Sequence, residues 1–77
     1  MYMEHMAILV DDPLAVAEWY SAHLGMKVVR EGPPPTHMTF LMDAAGRSMV
    51  EIYAMDDLET PDYASMHHSL LHLAFFC

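Results

Sequence analysis

Apolar and polar residues follow one another in the first third of the chain in a pattern that predicts a strand and then a helix. The apolar run "EHMAILV" predicts a strand over residues 4–10. Asp12 and Pro13 follow, and they are typical of a helix start, because aspartate caps free backbone N–H groups and proline suits the first turn. Apolar positions then recur at helical spacing until Gly25, where we expect the helix to end. The predicted apolar side of this helix consists of Val16, Ala17, Trp19, Tyr20 and Leu24.

Four more strands are predicted after the helix. "MKVVRE" over residues 26–31, "THMTFLM" over 36–42 and "RSMVEIYA" over 47–54 are short, partly alternating segments separated by turn sequences. The turns are "GPPP", whose prolines cannot donate to a sheet, and "DAAG". After an acidic stretch, "SLLHLAFF" predicts a fifth strand over residues 69–76. The order β-α-β-β-β, linker, β indicates an α+β fold.

The fifth predicted strand resembles the first, because a histidine precedes an apolar run in both "MEHMAILV" and "LLHLAFF". We therefore expect a βαβββ module at residues 1–55, a linker at 56–68 and the first strand of an incomplete second module at 69–77. In this interpretation, the remainder of the second module lies further along the gene or is supplied by another copy of the chain.

Charge and composition exclude several classes of partner. Eleven acidic residues oppose three basic ones, Lys27, Arg30 and Arg47, and the formal net charge is -8. Nucleic acids and anionic membranes require clustered basic residues, so neither is expected as a partner. The single cysteine, Cys77, builds no disulfide framework, and no secretory signal or membrane span is visible, so we expect a cytoplasmic location. The 55% hydrophobic content is high for 77 residues and suggests that a partner covers part of the surface.

Three residues on different predicted strands could bind a metal together. His5, Glu51 and His72 each lie in the opposite phase to apolar residues that could face the helix, so all three could point to the concave side of a curved sheet. Two imidazoles and a carboxylate suit zinc, iron, nickel or manganese and leave coordination positions open for a substrate. Met49 and Tyr53 share the phase of Glu51 and are expected to line the substrate pocket.

Other interpretations of these residues remain open at the level of sequence. A histidine near a strand end is commonly an exposed or hydrogen-bonded residue, and Glu51 could simply face the solvent from the sheet. His68 and His72 are four positions apart and would share one side of a helix. The zinc-protease pattern requires glutamate after the first histidine, however, and Ser69 stands there.

The chain resembles a known superfamily. "HMAILVDDPLAVAEWYSAHLGMKVV" is similar to the opening of the vicinal oxygen chelate superfamily, which includes glyoxalase I, bleomycin-resistance proteins and extradiol dioxygenases. "DAAGRSMVEIY" is similar to the third turn and fourth strand of the family's module, with Glu51 at the usual ligand position. "LLHLAFF" is similar to the first strand of the second module, with His72 at its ligand position. The resemblance covers nearly the whole chain.

This resemblance implies a fold and an activity. The fold would be a βαβββ module with a curved, mixed, mostly antiparallel sheet, and two modules would enclose a metal site. The usual fourth ligand, a glutamate on the last strand of the second module, is absent from this chain. The implied activity is that of a metal-dependent lyase or isomerase on a small substrate with adjacent oxygens, with Glu51 as the catalytic residue that moves a proton.

The resemblance also leaves two other activities open and implies a partner. An extradiol-type dioxygenase and a non-catalytic module that sequesters a ligand, as in bleomycin resistance, are the alternatives. A homodimer or a higher oligomer is expected, because a lone curved sheet would leave an apolar face in water and strand edges unpaired. Exchange of the last strand between copies is one way to form it, and whether the 77 residues are active alone stays open. Arg30 is the one cation that we can name as a partner for a substrate carboxylate.

Overall fold

The computed structural model describes residues 1–76 and shows one four-stranded sheet with a helix on one side. The elements are β1 (His5–Leu9), α1 (Pro13–Leu24), β2 (Lys27–Glu31), β3 (Thr39–Met42), β4 (Met49–Tyr53) and a short 3-10 helix, Tyr63–Ser65. The strand order is β1-β4-β3-β2, in which β1 and β4 are parallel and the other neighbours are antiparallel. The predicted α+β fold, with a βαβββ order and a mixed, mostly antiparallel sheet, is confirmed, and the sheet is open.

Both predicted ends of the helix are confirmed, and each has a local cause. The Asp12 carboxylate accepts a hydrogen bond from the backbone N–H of Ala15 at 3.2 Å, and Pro13 occupies the first helical position. Gly25 has a φ of 65°, the left-handed conformation that glycine adopts without steric cost. The chain therefore leaves β1, turns into α1 and returns to the sheet within a few residues at each junction.

The core lies between α1 and one side of the sheet. Leu41 of β3 and Ile52 of β4 are completely buried there, and Ala17 of α1 packs against them. Trp19, which was predicted on the apolar side of the helix, is 53% exposed. It precedes Tyr20 by about 100° around the helix, so its indole contacts the rings of Tyr20 and His23 instead of the sheet.

Residues 69–76 do not form the predicted fifth strand. Residues 68–70 make a turn, and 71–76 have no regular secondary structure. A strand requires backbone hydrogen bonds to a neighbour, and within residues 1–76 no backbone hydrogen bond joins this segment to the sheet. Instead it lies near α1, where the ring centroids of Phe75 and Tyr20 are 6.5 Å apart. Cys77 lies outside the described residues, and the division at 1–55, 56–68 and 69–77 stays a prediction.

The predicted linker is attached to the sheet at one point. The Tyr63 hydroxyl donates a 2.7 Å hydrogen bond to the carbonyl oxygen of Leu9, at the end of β1. Burial raises the pKa of Tyr63, this hydrogen bond lowers it, and the neighbouring Tyr53 raises it further; the net change is upward. The acidic segment thus returns to the end of the sheet where β1 and β4 finish.

Candidate metal site on the open face of the sheet

The side of the sheet opposite α1 carries most of the residues that could support chemistry. Successive strand residues alternate between the two sides, and the pairing of β1 with β4 places Ala7 beside Glu51 and His5 beside Met49. Next to them, β3 places Phe40 beside Glu51. We call this side the open face. By this alternation, the residues of β1, β3 and β4 on the open face are His5, Ala7, Leu9, Phe40, Met42, Met49, Glu51 and Tyr53.

Two of the three predicted metal ligands meet on the open face. The Nε2 atom of His5 lies 3.6 Å from Oε1 of Glu51, and the Glu51 side chain is only 19% exposed. This separation is too long for a hydrogen bond. It is close to the ~3.4 Å that separates two ligand atoms in a tetrahedral site with bonds of about 2.1 Å. The geometry of this pair therefore fits a small divalent cation.

Glu4, which was not among the predicted site residues, orients the imidazole. Its Oε1 atom accepts a 2.9 Å hydrogen bond from Nδ1 of His5. A proton held on Nδ1 leaves the lone pair of Nε2 directed to Glu51, the arrangement commonly found around metal-binding histidines. Only the adjacency of a carboxylate to the candidate histidine could have indicated this role.

His72, the third predicted ligand, does not join the pair within the chain. Its Nδ1 atom donates to the carbonyl oxygen of His68 at 2.9 Å, in the turn that follows the linker. Among residues 1–76, no group of three His, Cys, Asp or Glu side chains is arranged to bind a metal. The segment that carries His72 does not pair with the sheet, and for this reason its imidazole stays outside the open face.

An aromatic ring holds His5 in place from the side. Phe40 is only 4% exposed, and its ring lies edge-on to the imidazole with centroids 5.0 Å apart and an interplanar angle of 79°. The guanidinium carbon of Arg30 lies 5.0 Å above the centre of the same ring. Phe40 therefore packs against the proposed metal ligand His5 and the cation of Arg30 at once, and neither contact was predicted from the sequence.

Met49 and Tyr53, the predicted pocket residues, share the open face with Glu51. They are two positions before and after it on β4, and both are partly buried. A groove with a volume of about 690 Å³ is lined in part by Met49, and Tyr53 is not among its lining residues. Apolar residues of the helix side of the sheet, such as Met6 and Val50, and of the terminal segment, such as Leu73 and Phe75, line it. This groove contains neither His5 nor Glu51.

A comparison with protein-family models identifies the chain. Residues 2–77 match the model of the Glyoxalase/Bleomycin resistance protein/Dioxygenase superfamily. The chain belongs to this superfamily. No curated protein and no solved structure matches the chain in the other two comparisons. The family match confirms the resemblance seen in the sequence, and the βαβββ order agrees with the glyoxalase-type module.

Glyoxalase superfamily proteins typically bind a divalent metal and a small molecule, and many form dimers. In this member, His5 and Glu51 are the pair that could hold such a metal. Within residues 1–76, no helix combines the length and the apolar character that a membrane crossing requires.

Proposed function

We propose that this protein is a metal-dependent lyase or isomerase that acts on a small substrate with two adjacent oxygens. The observation that supports this activity best is the 3.6 Å approach of His5 Nε2 and Glu51 Oε1 on the open face, with Glu4 on the other imidazole nitrogen. Two acceptor atoms face one gap, and a divalent cation is the partner that satisfies both.

In this proposal each residue has a defined role. His5 and Glu51 would hold zinc, nickel, iron or manganese, and the bound metal would supply Lewis-acid polarisation of the substrate oxygens. Glu51 also accepts a proton from the substrate carbon and returns it to the product. Met49 and Tyr53 form the walls beside the reacting atoms. The single cysteine supports a reducing, cytoplasmic setting for this activity.

A second copy of the chain completes the site in this proposal. Within residues 1–76, β1 is an edge strand whose one neighbour is β4, so its other backbone edge is available for pairing. The terminal segment is apolar and exposed, with Leu70 at 74% and Phe76 at 103%. If residues 69–77 of each copy paired as a strand with β1 of the other, the edge of β1 would be covered in both copies. The same exchange would bring His72 to the open face as the third ligand.

Metal binding by matched variants tests the proposed site. We expect the purified chain to bind one zinc, nickel, iron or manganese ion per site in equilibrium dialysis with elemental analysis. His5→Ala and Glu51→Gln should each weaken binding by about tenfold or more, because ligand loss costs at least as much as loss of an outer-shell partner. His67→Ala is the control, since that exposed histidine makes only local hydrogen bonds to Ser69.

Two outcomes would contradict the proposed metal site. If none of the four metals binds, or if metal still binds with unchanged affinity to both His5→Ala and Glu51→Gln, the metal site is not here. Oxygen uptake with a catechol separates the dioxygenase activity from lyase or isomerase activity at the same ligands.

A non-catalytic module that sequesters a ligand is the second candidate. The groove of about 690 Å³ beside α1, with its mainly apolar lining, favours it, because it could take up an aromatic molecule without any metal. Binding of such a ligand by a protein that never retains metal would support this function over the enzyme.

A further inference from the structure

We propose that Arg30 is the residue that anchors the substrate, by binding a carboxylate at the end of the molecule remote from the reacting oxygens. This inference rests on the proposed metal site, because it assigns the substrate class of that site. The substrate would be a small organic acid, with a carboxylate at one end and two adjacent oxygens at the other.

The position of Arg30 follows from the register of the sheet. Arg30 of β2 pairs with Phe40 of β3, and Phe40 pairs with Glu51 of β4, so the three residues form one row across the strands. The Arg30 side chain reaches over the Phe40 ring, and Phe40 also touches His5. At about 4.8 Å between strands, the α-carbons of Arg30 and Glu51 are roughly 10 Å apart. A small elongated substrate spans this separation between the cation and the metal pair.

The contact with Phe40 orients the guanidinium and leaves it charged. Its central carbon lies 5.0 Å above the ring centre, within the range of a cation–π interaction. Such a contact fixes the plane of the group and leaves N–H donors that match the two oxygens of a carboxylate. Preorganisation of this kind lowers the entropy lost when a ligand binds.

Among the residues that the structure describes, Arg30 has no acidic partner, although the chain is rich in acids. Eleven acidic residues and three basic ones make up the charge of the protein. Nevertheless, across residues 1–76 the only pairs at ion-pair distance are those of His5 with Glu4 and Glu51. Arg30 is exposed on β2, and β3 separates it from Glu51 of β4, so a carboxylate bound to the guanidinium would lie apart from the Glu51 carboxylate. This arrangement favours a carboxylate at Arg30 and polar neutral oxygens at the metal.

Two matched probes test the assignment. 3,4-Dihydroxybenzoate and 3,4-dihydroxybenzamide present the same adjacent oxygens, and only the first carries a distal carboxylate. We expect the wild-type protein to bind the benzoate about tenfold more tightly in NMR titrations, because bidentate charge-assisted hydrogen bonds are the stronger kind. Arg30→Gln should reduce the ratio of the two affinities to near one without changing affinity for the amide. Arg30→Lys should restore part of the ratio.

Controls separate this proposal from the metal site. Arg47→Gln, in the β3–β4 turn, should keep the tenfold ratio of affinities. NMR spectra of the backbone N–H groups report whether each variant is folded. Titrations are made on metal-free and metal-loaded protein, with the metal content measured independently. If the protein binds no metal but the ratio of benzoate to benzamide affinity still depends on Arg30, the role of Arg30 stands and the proposed metal site is wrong. Three results would overturn the role proposed for Arg30: equal binding of both probes to the wild-type protein, no binding of either probe, or an unchanged affinity ratio in Arg30→Gln. Arg30 would then only cover Phe40.

Discussion

At the scale of single residues, one half-buried hydroxyl connects the linker to the sheet. Tyr63 donates to the carbonyl oxygen of Leu9, and its burial and the nearby Tyr53 raise its pKa above the ordinary value of 10.0. The folded chain therefore holds this proton more tightly than the unfolded chain does. The resulting stabilisation is complete below pH 10 and is lost as the pH rises through the raised pKa.

Tyr63→Phe should lower the free energy of unfolding by about 1 kcal/mol at pH 7, because the Leu9 carbonyl loses its donor. The variant should also lose less stability than the wild type between pH 9 and pH 11, although Tyr20, whose pKa burial also raises, keeps part of this pH dependence. Urea unfolding at each pH measures both effects. Tyr2→Phe is the control, since Tyr2 is 79% exposed. Equal stability of Tyr63→Phe and wild type at pH 7 would show that the hydrogen bond contributes nothing.

At the scale of elements, α1 owes its position to its two caps and to a narrow buried stripe. Asp12 closes the first turn, Gly25 ends the last, and Ala17 allows the helix to approach the sheet closely. The exposed Trp19 shows that the apolar side is narrower than the composition of the helix suggests. A helix of 12 residues is near the limit of stability on its own, so its ends matter.

Asp12→Ala should destabilise the protein by about 1 kcal/mol, the typical cost of removing an N-terminal cap. Asp11→Ala is a matched control, because that neighbouring carboxylate is exposed and does not cap the helix. Thermal or urea unfolding of the two variants under identical conditions measures the difference. If Asp11→Ala were as destabilising as Asp12→Ala, net charge and not the cap would be responsible.

Local patterns predicted most of the fold and only part of the site. The caps of α1 and the four strands of the sheet depend on neighbours in sequence, and these were correct apart from shorter strand ends. The segment 69–76 has a strand-like composition, but a strand also needs a partner, which composition does not provide. The roles of Glu4 and Phe40 were not predicted for the same reason, because they depend on hydrogen bonding and on cross-strand register. His5 and Glu51 could be predicted to meet because both fall in the phase opposite to the core.

At the scale of the whole molecule, much apolar surface remains exposed. Tyr2 and Met3 precede β1, and Leu70 and Phe76 lie in the terminal segment; all four are mostly exposed. Tyr2 and Met3 lie just before β1, whose edge we propose pairs with a second copy. Leu70 and Phe76 belong to the segment that we propose is exchanged. Exposed apolar surface of this extent in a small domain is typical of an interface.

Light scattering during size exclusion should therefore give about twice the 8.8 kDa mass of the chain at micromolar concentration. Phe76→Asp should shift the protein to the single-chain mass, because a charge would be buried in the interface. Leu58→Asp, at an exposed position of the linker, should leave the dimer intact. A wild-type protein that elutes with the mass of one chain would contradict the dimer and would leave His72 without a route to the pair.

The parallel pairing of β1 with β4 has a consequence for how the molecule acquires its chemistry. The first and last strands of the module become neighbours, so the loop that must close between His5 and Glu51 contains the helix and both other strands. Contacts between such distant parts of a chain form late and slowly. His5 and Glu51, the proposed metal ligands, would therefore meet only after the chain between them has folded. A metal bound between them, as we propose, would stabilise the finished strand order, because it binds only the folded state.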